Sequence, residues 1–266
     1  MKLLSTILTF IFMNSFLVNA QSAIDSSKIV KVLSFNIYHG ETTIKGGFDL
    51  DRIAGIIKDA GPDFVALQEV DFKTKRGREY DLATELGWRT KLAPLFANAM
   101  SFDGGEYGVG ILSKHSFIKT RKVPLPSSPD REPRTSLEVI TVLASGDTVA
   151  FISTHLDHLK DESERAAQVN KINETYASNK YPTILAGDFN AIPGSEAIKR
   201  IEELWSSSYD KNKYEFTFPS DKPDRKIDYV FHYPKNEWKV LETKVIHDSI
   251  ASDHCAYLVT LQLMEK

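Results

Sequence analysis

Cysteine is almost absent from this chain: Cys255 is the only one among 266 residues. A disulfide within the chain is therefore excluded, whatever the redox state of its compartment. Cys255 directly follows His254 at the predicted start of a strand. We interpret it as a buried core residue rather than a catalytic thiol.

An excess of positive charge is also missing. The chain has 33 Lys and Arg against 36 Asp and Glu, which gives a formal net charge of −3. Proteins with a general affinity for nucleic acid normally present a basic face, because the phosphate backbone dominates that binding. The negative net charge therefore does not favour a nucleic-acid partner, although it does not exclude one.

An uninterrupted apolar run long enough for a stable membrane span is lacking as well. The stretch from Leu3 to Val18 is largely apolar but is broken by polar residues, among them Thr6, Thr9, Asn14 and Ser15. Lys2 precedes it and small residues follow it, which predicts a signal peptide over residues 1–20, cleaved before Gln21. An uncleaved membrane anchor is the alternative. We expect a secreted or periplasmic protein.

The remainder, residues 21–266, shows no internal repeat, low-complexity segment or linker, and its length suits one domain. Its formal net charge is −4, because Lys2 is the only charged residue removed. We expect a monomer.

Strand-like segments outnumber helices and many are joined by short turns, which fits two packed sheets with helices outside. The helices are predicted at Asp49–Ala60, Glu79–Leu86, Asp161–Ser178 and Ser195–Leu204, and strands between the polar motifs at Gly108–Ser113, Ser116–Val123, Ser136–Ala144, Tyr214–Phe218 and Trp238–Val245.

Polar residues recur where strand-like segments begin or end. The apolar residues 184–186 lead through Gly187 to Asp188 and Asn190. Residues two apart on a strand share a face, so we expect these two side chains to point the same way. Other segments place polar residues similarly; these are Asn36, Glu69, His155, Asp157, Asp228, Asp253 and His254.

Each of these residues has a structural explanation when taken alone. His155 is explained as a hydrogen-bonded core histidine, Asn36 as part of an Asx-turn, and Glu69 as the partner of a lysine. Their joint occurrence in one chain instead indicates a site. A carboxylate beside a carboxamide suits a hard divalent cation or a water to be activated, and oxygen ligands favour Mg²⁺ or Mn²⁺ over zinc.

The order of these segments resembles the endonuclease/exonuclease/phosphatase superfamily. That group includes deoxyribonuclease I, the exonuclease III type of abasic-site endonuclease, neutral sphingomyelinases and inositol polyphosphate 5-phosphatases. The resemblance runs from about Lys31 to Leu263. Its motifs are Ser34-Phe35-Asn36-Ile37, Leu67-Gln68-Glu69-Val70, Gly108-Val109-Gly110-Ile111-Leu112-Ser113, Thr154-His155-Leu156, Gly187-Asp188-Phe189-Asn190, Lys226-Ile227-Asp228-Tyr229 and Ser252-Asp253-His254.

The resemblance implies an α/β four-layer sandwich, in which two packed, mainly antiparallel β-sheets are flanked by helices. It also implies metal-dependent hydrolysis of phosphoesters. The metal, Mg²⁺ or alternatively Mn²⁺, is expected at Glu69, with Asn36 beside it and Asp253 near it.

The same resemblance assigns the catalytic roles. Asp188, helped by Asn190, orients or deprotonates the attacking water, and His155 donates to the phosphate oxygens. His254 contacts the phosphate and takes part in proton transfer, and Asp228 holds its imidazole. The chemistry agrees, because a metal ion and imidazolium donors stabilise the charge that develops on the phosphoryl oxygens.

The first motif departs from one branch of this group. Abasic-site endonucleases tend to carry an acid two positions after the first-motif asparagine, where this chain has Tyr38. This argues against that branch. The next residue, His39, has two interpretations: an additional contact to the phosphate, or a loop histidine near the mouth of the site.

Two loops are expected to carry substrate choice. The loop after Glu69 holds four cations, and we hypothesise that Arg76 or Arg78 binds a second phosphate or another anionic group; a solvated charged loop is the alternative. In the second loop, Pro129-Asp130-Arg131-Glu132-Pro133-Arg134, prolines stiffen the approach to a strand, and we expect Arg134 to be aimed at the cleft. The Glu132-Pro133-Arg134 sequence also resembles a subgroup of secreted or membrane-linked bacterial members.

The predicted function is that of an exported phosphoesterase, which uses a divalent metal and in-line attack of water on a phosphodiester or phosphomonoester. A secreted endonuclease is one alternative. A sphingomyelinase or phospholipase C-like enzyme is another, although the three tryptophans are scattered and form no aromatic membrane loop. An inositol-phosphate phosphatase would suit the cationic loop, and a non-catalytic binding module of the same fold is the remaining class.

Overall fold

The computed structural model of the chain describes residues 25–265. The predicted signal peptide and its cleavage site lie outside the described residues. Among residues 25–265, no helix combines the length and the apolar character that crossing a membrane requires.

Twelve strands and four α-helices make up most of the regular structure of residues 25–265. They are β1 (Ile29–Asn36), α1 (Leu50–Ala60), β2 (Phe64–Phe72), α2 (Leu82–Thr90), β3 (Ala93–Phe102), β4 (Gly105–Ser113), β5 (Lys119–Leu125), β6 (Arg134–Val142), β7 (Thr148–His155), α3 (Ser163–Tyr176), β8 (Thr183–Asp188), α4 (Glu196–Leu204), β9 (Ser206–Ser207), β10 (Asp228–Tyr233), β11 (Trp238–Ile246) and β12 (Ala256–Leu263).

The strands form two six-stranded sheets of matching design. Their orders are β11-β12-β1-β2-β4-β3 and β5-β6-β7-β8-β10-β9. Each sheet contains one parallel pair, β1 with β2 and β7 with β8, and its other neighbours are antiparallel. A parallel pair needs a crossover connection, and α1 and α3 supply it. The prediction of two mainly antiparallel sheets is confirmed.

The two sheets pack face to face because each strand buries alternate residues on the shared side. Val32 of β1, Phe64 of β2 and Phe151 of β7 all belong to this inner core. The rings of Phe64 and Phe151 stack with their centroids 4.9 Å apart. The next residue of β1, Leu33, points to the opposite side.

The outer faces of the sheets are covered by helices. Ile53 and Ile57 of α1 pack on the first sheet. On the second sheet, Val169 of α3 and Ile198 of α4 pack against Leu185 of β8. The four-layer α/β sandwich expected from the sequence is therefore confirmed. Cys255 is buried in the inner core, as predicted, and burial raises the pKa of its thiol to about 12.

Helix α2 corrects one sequence expectation. The sequence pattern predicts an end at Leu86, just before Gly87, but the helix runs through Gly87 to Thr90 and is capped by Lys91, which has a positive φ. A Cβ at Gly87 would lie 2.8 Å from Pro94 Cγ. The glycine therefore permits close packing of α2 on β3 rather than ending the helix.

The strand predictions differ from the structure in three places. Residues 214–218 form no strand; they make a single bridge, between Phe218 and Arg225, and Thr217 O accepts from Cys255 N. Strand β3 was missed because its alternation is weak and it contains Pro94, which an edge strand tolerates. Strand β5 begins at Lys119 instead of Ser116.

Candidate active site

Both sheets bring their polar strand ends to one side of the sandwich. Asn36 ends β1, His155 ends β7 and Asp188 ends β8, while Asp228 begins the antiparallel β10 and pairs in register with Asp188. Gly187 allows β7 and β8 to approach, since a Cβ there would lie 2.1 Å from Thr154 O. A cleft of about 810 Å³ opens here, and Glu69, His155, Asp188, Asn190, Asp253 and His254 line it.

Glu69 presents an ionised carboxylate to the cleft. It sits at a bulge between Leu67 and Val70 in β2, with φ of 56°. Asn36 Nδ2 donates to Oε1 at 3.1 Å, and His39 Nδ1 lies 3.3 Å from Oε2. Burial favours the neutral acid, but the hydrogen bonds with His39 and Asn36 outweigh it and hold the pKa of Glu69 below its usual range.

His254 forms a buried ion pair with Asp228. Its Nδ1 lies 3.1 Å from Asp228 Oδ2, and its Nε2 lies 3.6 Å from Asp188 Oδ2. Burial disfavours the charged ring, but the two carboxylates outweigh burial and raise its pKa to about 10. His254 is therefore an imidazolium at neutral pH. The ring of Phe218 lies over it at a centroid distance of 4.7 Å.

Asp188 occupies the centre of the site. Its Oδ1 accepts from Asn190 N at 2.8 Å, and its Oδ2 accepts from Asn36 Nδ2 at 3.2 Å. Burial raises the pKa of Asp188, and the neighbouring His254 charge opposes that rise. A buried carboxylate with a raised pKa beside an imidazolium is suited to accepting a proton from water.

Asn190 lies near Asp188 for a different reason from the one predicted. Strand β8 ends at Asp188, so strand alternation does not extend to Asn190, whose φ is 47°. A turn closed by the Asp188 carboxylate brings Asn190 back. The side-chain nitrogen of Asn190 donates to Leu156 O at 3.1 Å and lies 3.0 Å from His155 Nε2.

Two sets of donors in this cleft are candidates for holding a metal. Asp188, Asp228 and His254 place one ligand atom each within 4.8 Å of one another. A protonated His254 has no free lone pair, however, so these three residues already satisfy one another as an ion-pair network. Glu69 and Asp253 offer carboxylate oxygens on the cleft side, and oxygen donors suit Mg²⁺ or Mn²⁺. Asn36 directs its amide nitrogen at the carboxylates, while its Oδ1 accepts from Tyr38 N at 3.1 Å.

The arginines expected to bind substrate have different environments. Arg78 does not line the cleft; its guanidinium lies over the Phe48 ring at 4.5 Å. Arg76 lines the cleft, but its Nε and Nη2 donate to the buried Asp71 at 2.7 and 2.9 Å. Arg134 also lines the cleft, yet it is only 4% exposed and contacts two histidines rather than open solvent.

Sequence reasoning missed some of the supporting contacts. His39 orients Glu69 instead of standing at the mouth, and it is buried. Ser252 Oγ donates to Asn36 O at 2.7 Å and accepts from His254 N at 3.1 Å, which ties the first and last motifs together. Only the position of Ser252, two residues before His254, signalled such a role.

Comparisons with known proteins agree with this architecture. The sequence model of the Endonuclease/Exonuclease/phosphatase family matches residues 33–254. An endonuclease/exonuclease/phosphatase from Beutenbergia cavernae DSM 12333 superposes with a TM-score of 0.74 at 22% identity, covering 89% of this chain and 72% of that one.

Two further solved structures share the fold at lower identity. A mannosyl-6-phosphatase from Bacteroides thetaiotaomicron VPI-5482 gives a TM-score of 0.70 at 18% identity, covering 87% of this chain and 99% of that one. The human Nocturnin catalytic domain with bound sulfate gives 0.71 at 17% identity, covering 89% and 95%. From the family match and the shared fold, we conclude that this chain belongs to the endonuclease/exonuclease/phosphatase family.

Proposed function

We propose that this protein is an exported, divalent-metal-dependent phosphoesterase that acts on a small phosphodiester or phosphomonoester. One observation carries the proposal. A metal-suited carboxylate, Glu69, a buried carboxylate with a raised pKa, Asp188, and an imidazolium, His254, line the same cleft. Phosphoester hydrolysis needs these three functions together.

Each group has a distinct part in the proposed reaction. Asp188 accepts the proton of the attacking water, and Asn190 keeps the Asp188 carboxylate in place through its backbone N–H. His254 donates to a phosphoryl oxygen, and Asp228 holds its ring. His155 provides a second donor, and its Nε2 lies 3.4 Å from Asp188 Oδ2. A divalent metal held by Glu69 and Asp253, with Asn36 beside them, supplies Lewis-acid stabilisation of the phosphoryl charge.

Two findings support a small substrate rather than duplex nucleic acid. The formal net charge is negative. Among the cleft cations, Arg76, Arg134 and Arg225 are each within 3.1 Å of a carboxylate, so much of the local positive charge is already neutralised. The solved structures of similar fold include both a sugar phosphatase and Nocturnin, so the fold itself does not choose between ester types.

Export is a separate part of the proposal and rests on residues 1–20. Expressing the full chain in a bacterial host with an intact secretion pathway, and determining the N-terminal residue of the exported protein, tests it. We expect the exported chain to start at Gln21. A cytoplasmic chain that retains Met1 would refute export without affecting the chemistry.

The catalytic proposal is tested by a substrate panel. Residues 21–266 are assayed with Mg²⁺ or Mn²⁺ against aryl phosphomonoesters and diesters, plasmid DNA, sphingomyelin and inositol phosphates. We expect turnover that depends on metal and is lost in Asp188→Ala and His254→Ala. His115→Ala is the matched control, since this histidine lies beside Asp63 and outside the cleft.

The panel also separates the alternatives. Best turnover of plasmid DNA would favour the endonuclease, of sphingomyelin the lipid phosphodiesterase, and of inositol phosphates the inositol phosphatase. No metal-dependent turnover above the two alanine variants, with no Mg²⁺ binding by calorimetry, would refute the enzyme proposal in favour of a binding module.

A further inference from the structure

Arg134 is a buried arginine whose nearest partners include two histidines. It begins β6 and is 4% exposed. Its Nη1 lies 2.9 Å from His155 Nδ1, and its Nη2 lies 3.2 Å from His158 Nδ1. A single carboxylate oxygen, Glu132 Oε1, lies 3.1 Å from Nη1. This arrangement is unusual, because buried arginines generally pair with carboxylates through both nitrogens.

The Arg134 contact fixes where His155 carries its proton. A guanidinium has five N–H donors, no acceptor, and does not deprotonate in proteins. Nδ1 of His155 is therefore the acceptor, and the neutral ring carries its proton on Nε2. That proton has Asp188 Oδ2 as its nearest acceptor, at 3.4 Å. The Asn190 side-chain nitrogen, which is also close to Nε2, donates to Leu156 O.

The second histidine of the site has the opposite partner. Asp228 Oδ2 lies 3.1 Å from Nδ1 of His254, so that ring carries a proton on Nδ1. His155 faces a cation at the equivalent ring atom, and burial together with the Arg134 charge holds its pKa well below the usual range. The two histidines therefore differ in whether Nδ1 carries a proton, although both lie within 3.6 Å of Asp188 Oδ2.

The difference has a consequence for Asp188. A charged His155 beside Asp188 would stabilise the ionised carboxylate and make it a poorer acceptor for a water proton. A neutral His155 adds no charge beside Asp188. Its Nε2–H makes no hydrogen bond to Asp188 at 3.4 Å and is available to a phosphoryl oxygen when substrate binds.

We propose that Arg134 is a positioning residue that holds His155 as the Nε2–H tautomer, so that His155 serves as a neutral donor to the phosphoryl group while Asp188 remains able to accept the proton of water. The claim that His155 donates to the phosphoryl group, the catalytic half of the proposal, rests on the proposed phosphoesterase function. The claim that Arg134 fixes the Nε2–H tautomer of His155, the tautomer half, concerns only the protein. Arg134 acts through His155.

The tautomer is tested by NMR of protein labelled with ¹⁵N-histidine, in EDTA at pH 7.5. The His155 signals are identified by their loss in His155→Gln. We expect Nε2 protonated and Nδ1 unprotonated in the unsubstituted chain, and a changed or averaged pattern in Arg134→Met. Arg165→Met is the matched control: Arg165 also lines the cleft and is buried, but it donates to the carbonyl oxygens of Asp157 and Leu159. It should leave the His155 pattern unchanged.

The catalytic half is tested by kinetics on the best substrate of the panel. Loss of a hydrogen-bond partner behind an active-site histidine typically costs about 10- to 100-fold, so we expect Arg134→Met to lower kcat by that factor with KM within about threefold. Arg134→Lys retains one donor and should restore part of kcat. In a His155→Ala background the Arg134→Met effect should disappear, because the two residues act as one unit.

The outcomes are decisive in either direction. A protonated Nδ1 on His155 in the unsubstituted chain would overturn the proposal even if Arg134→Met fails to fold. Equal loss of kcat from Arg134→Met with and without His155 would reduce Arg134 to a structural residue. If the unsubstituted chain turns over nothing, the proposed function fails and the catalytic half fails with it, while the NMR pattern still decides the tautomer.

Discussion

Replacing Asp228 by asparagine removes the charge that faces Nδ1 of His254 but preserves the shape of the side chain. Both residues are buried and their nearest atoms are 3.1 Å apart. A rise in the His254 pKa from 6.5 to about 10 corresponds to roughly 5 kcal/mol of interaction that favours the folded, protonated ring. Asp228 is the largest of the carboxylate contributions to that rise.

The pH dependence has a definite sign. Because the folded pKa lies above the unfolded one, the folded chain binds more protons between pH 6.5 and 10. The stabilisation is complete below about pH 6.5 and is lost as pH rises through about 10. Removing one partner of a buried pair typically costs about 3–5 kcal/mol. We therefore expect a loss of about that size for Asp228→Asn at pH 6, and a smaller loss at pH 9.5.

Urea denaturation followed by tryptophan fluorescence measures this difference, since Trp205 is buried. Both proteins are studied in EDTA, so that metal binding does not contribute. Asp224→Asn is the matched control: Asp224 is 71% exposed in its ion pair with Arg225, and exposed pairs contribute roughly 0–1 kcal/mol. A loss that is equal at pH 6 and pH 9.5, or that does not exceed the Asp224→Asn value, would refute the reasoning.

Three further predictions follow from the structure. Glu69→Gln keeps the size of the side chain but removes its charge, so calorimetry should show Mg²⁺ or Mn²⁺ binding weakened at least about tenfold; unchanged affinity would place the metal elsewhere. Lys226 is 1% exposed, and burial lowers its pKa from 10.5 to about 7. Between pH 7 and 10.5 the unfolded chain therefore binds more protons than the folded chain, so the free energy of unfolding increases as pH rises. Lys226→Met should remove that gain in urea denaturation between pH 7 and 10, and an unchanged pH slope would contradict it. Arg78→Ala should leave KM within about twofold because Arg78 lies outside the cleft. Arg76→Ala should lower the melting temperature because it leaves the buried Asp71 carboxylate without its ion-pair partner. The reverse pattern would restore Arg78 as a substrate contact.

The central strands and the helices could be predicted because their patterns are strong. Strand β2 is a continuous apolar run and α1 repeats isoleucine at helical spacing, and in both cases burial on the expected faces follows. The edges could not be predicted in the same way. Strand β3 is held by pairing with β4, and its Ala- and Pro-containing sequence has little strand preference of its own.

The composition of the site was readable from the sequence, but its pairings were not. Polar residues at strand ends are visible as interruptions of apolar runs, which is why Glu69, Asp188 and His254 stood out. The partner of each depends on how two sheets face each other. Asn36 and Asp188 are 152 residues apart and belong to different sheets, yet their side chains are hydrogen-bonded.

Arg134 illustrates the same limit on a shorter scale. The sequence indicated a stiffened approach to a strand and an arginine aimed at the cleft. It gave no sign that strand pairing between β6 and β7 would place the guanidinium against His155. Proximity to the cleft was therefore predictable, whereas the contacts of Arg134 with His155 and His158 required the structure.

The central claim is that metal-assisted attack of water on phosphorus takes place in this cleft, with Asp188 as the proton acceptor. Its most direct test is hydrolysis of an aryl phosphoester by metal-stripped protein as Mg²⁺ or Mn²⁺ is titrated in, compared between the unsubstituted chain, Asp188→Asn and Glu69→Gln. We predict turnover that rises from zero with saturable metal dependence, is absent in Asp188→Asn at every metal concentration, and requires more metal in Glu69→Gln. Turnover that is independent of added metal, or that survives in Asp188→Asn, would contradict the account.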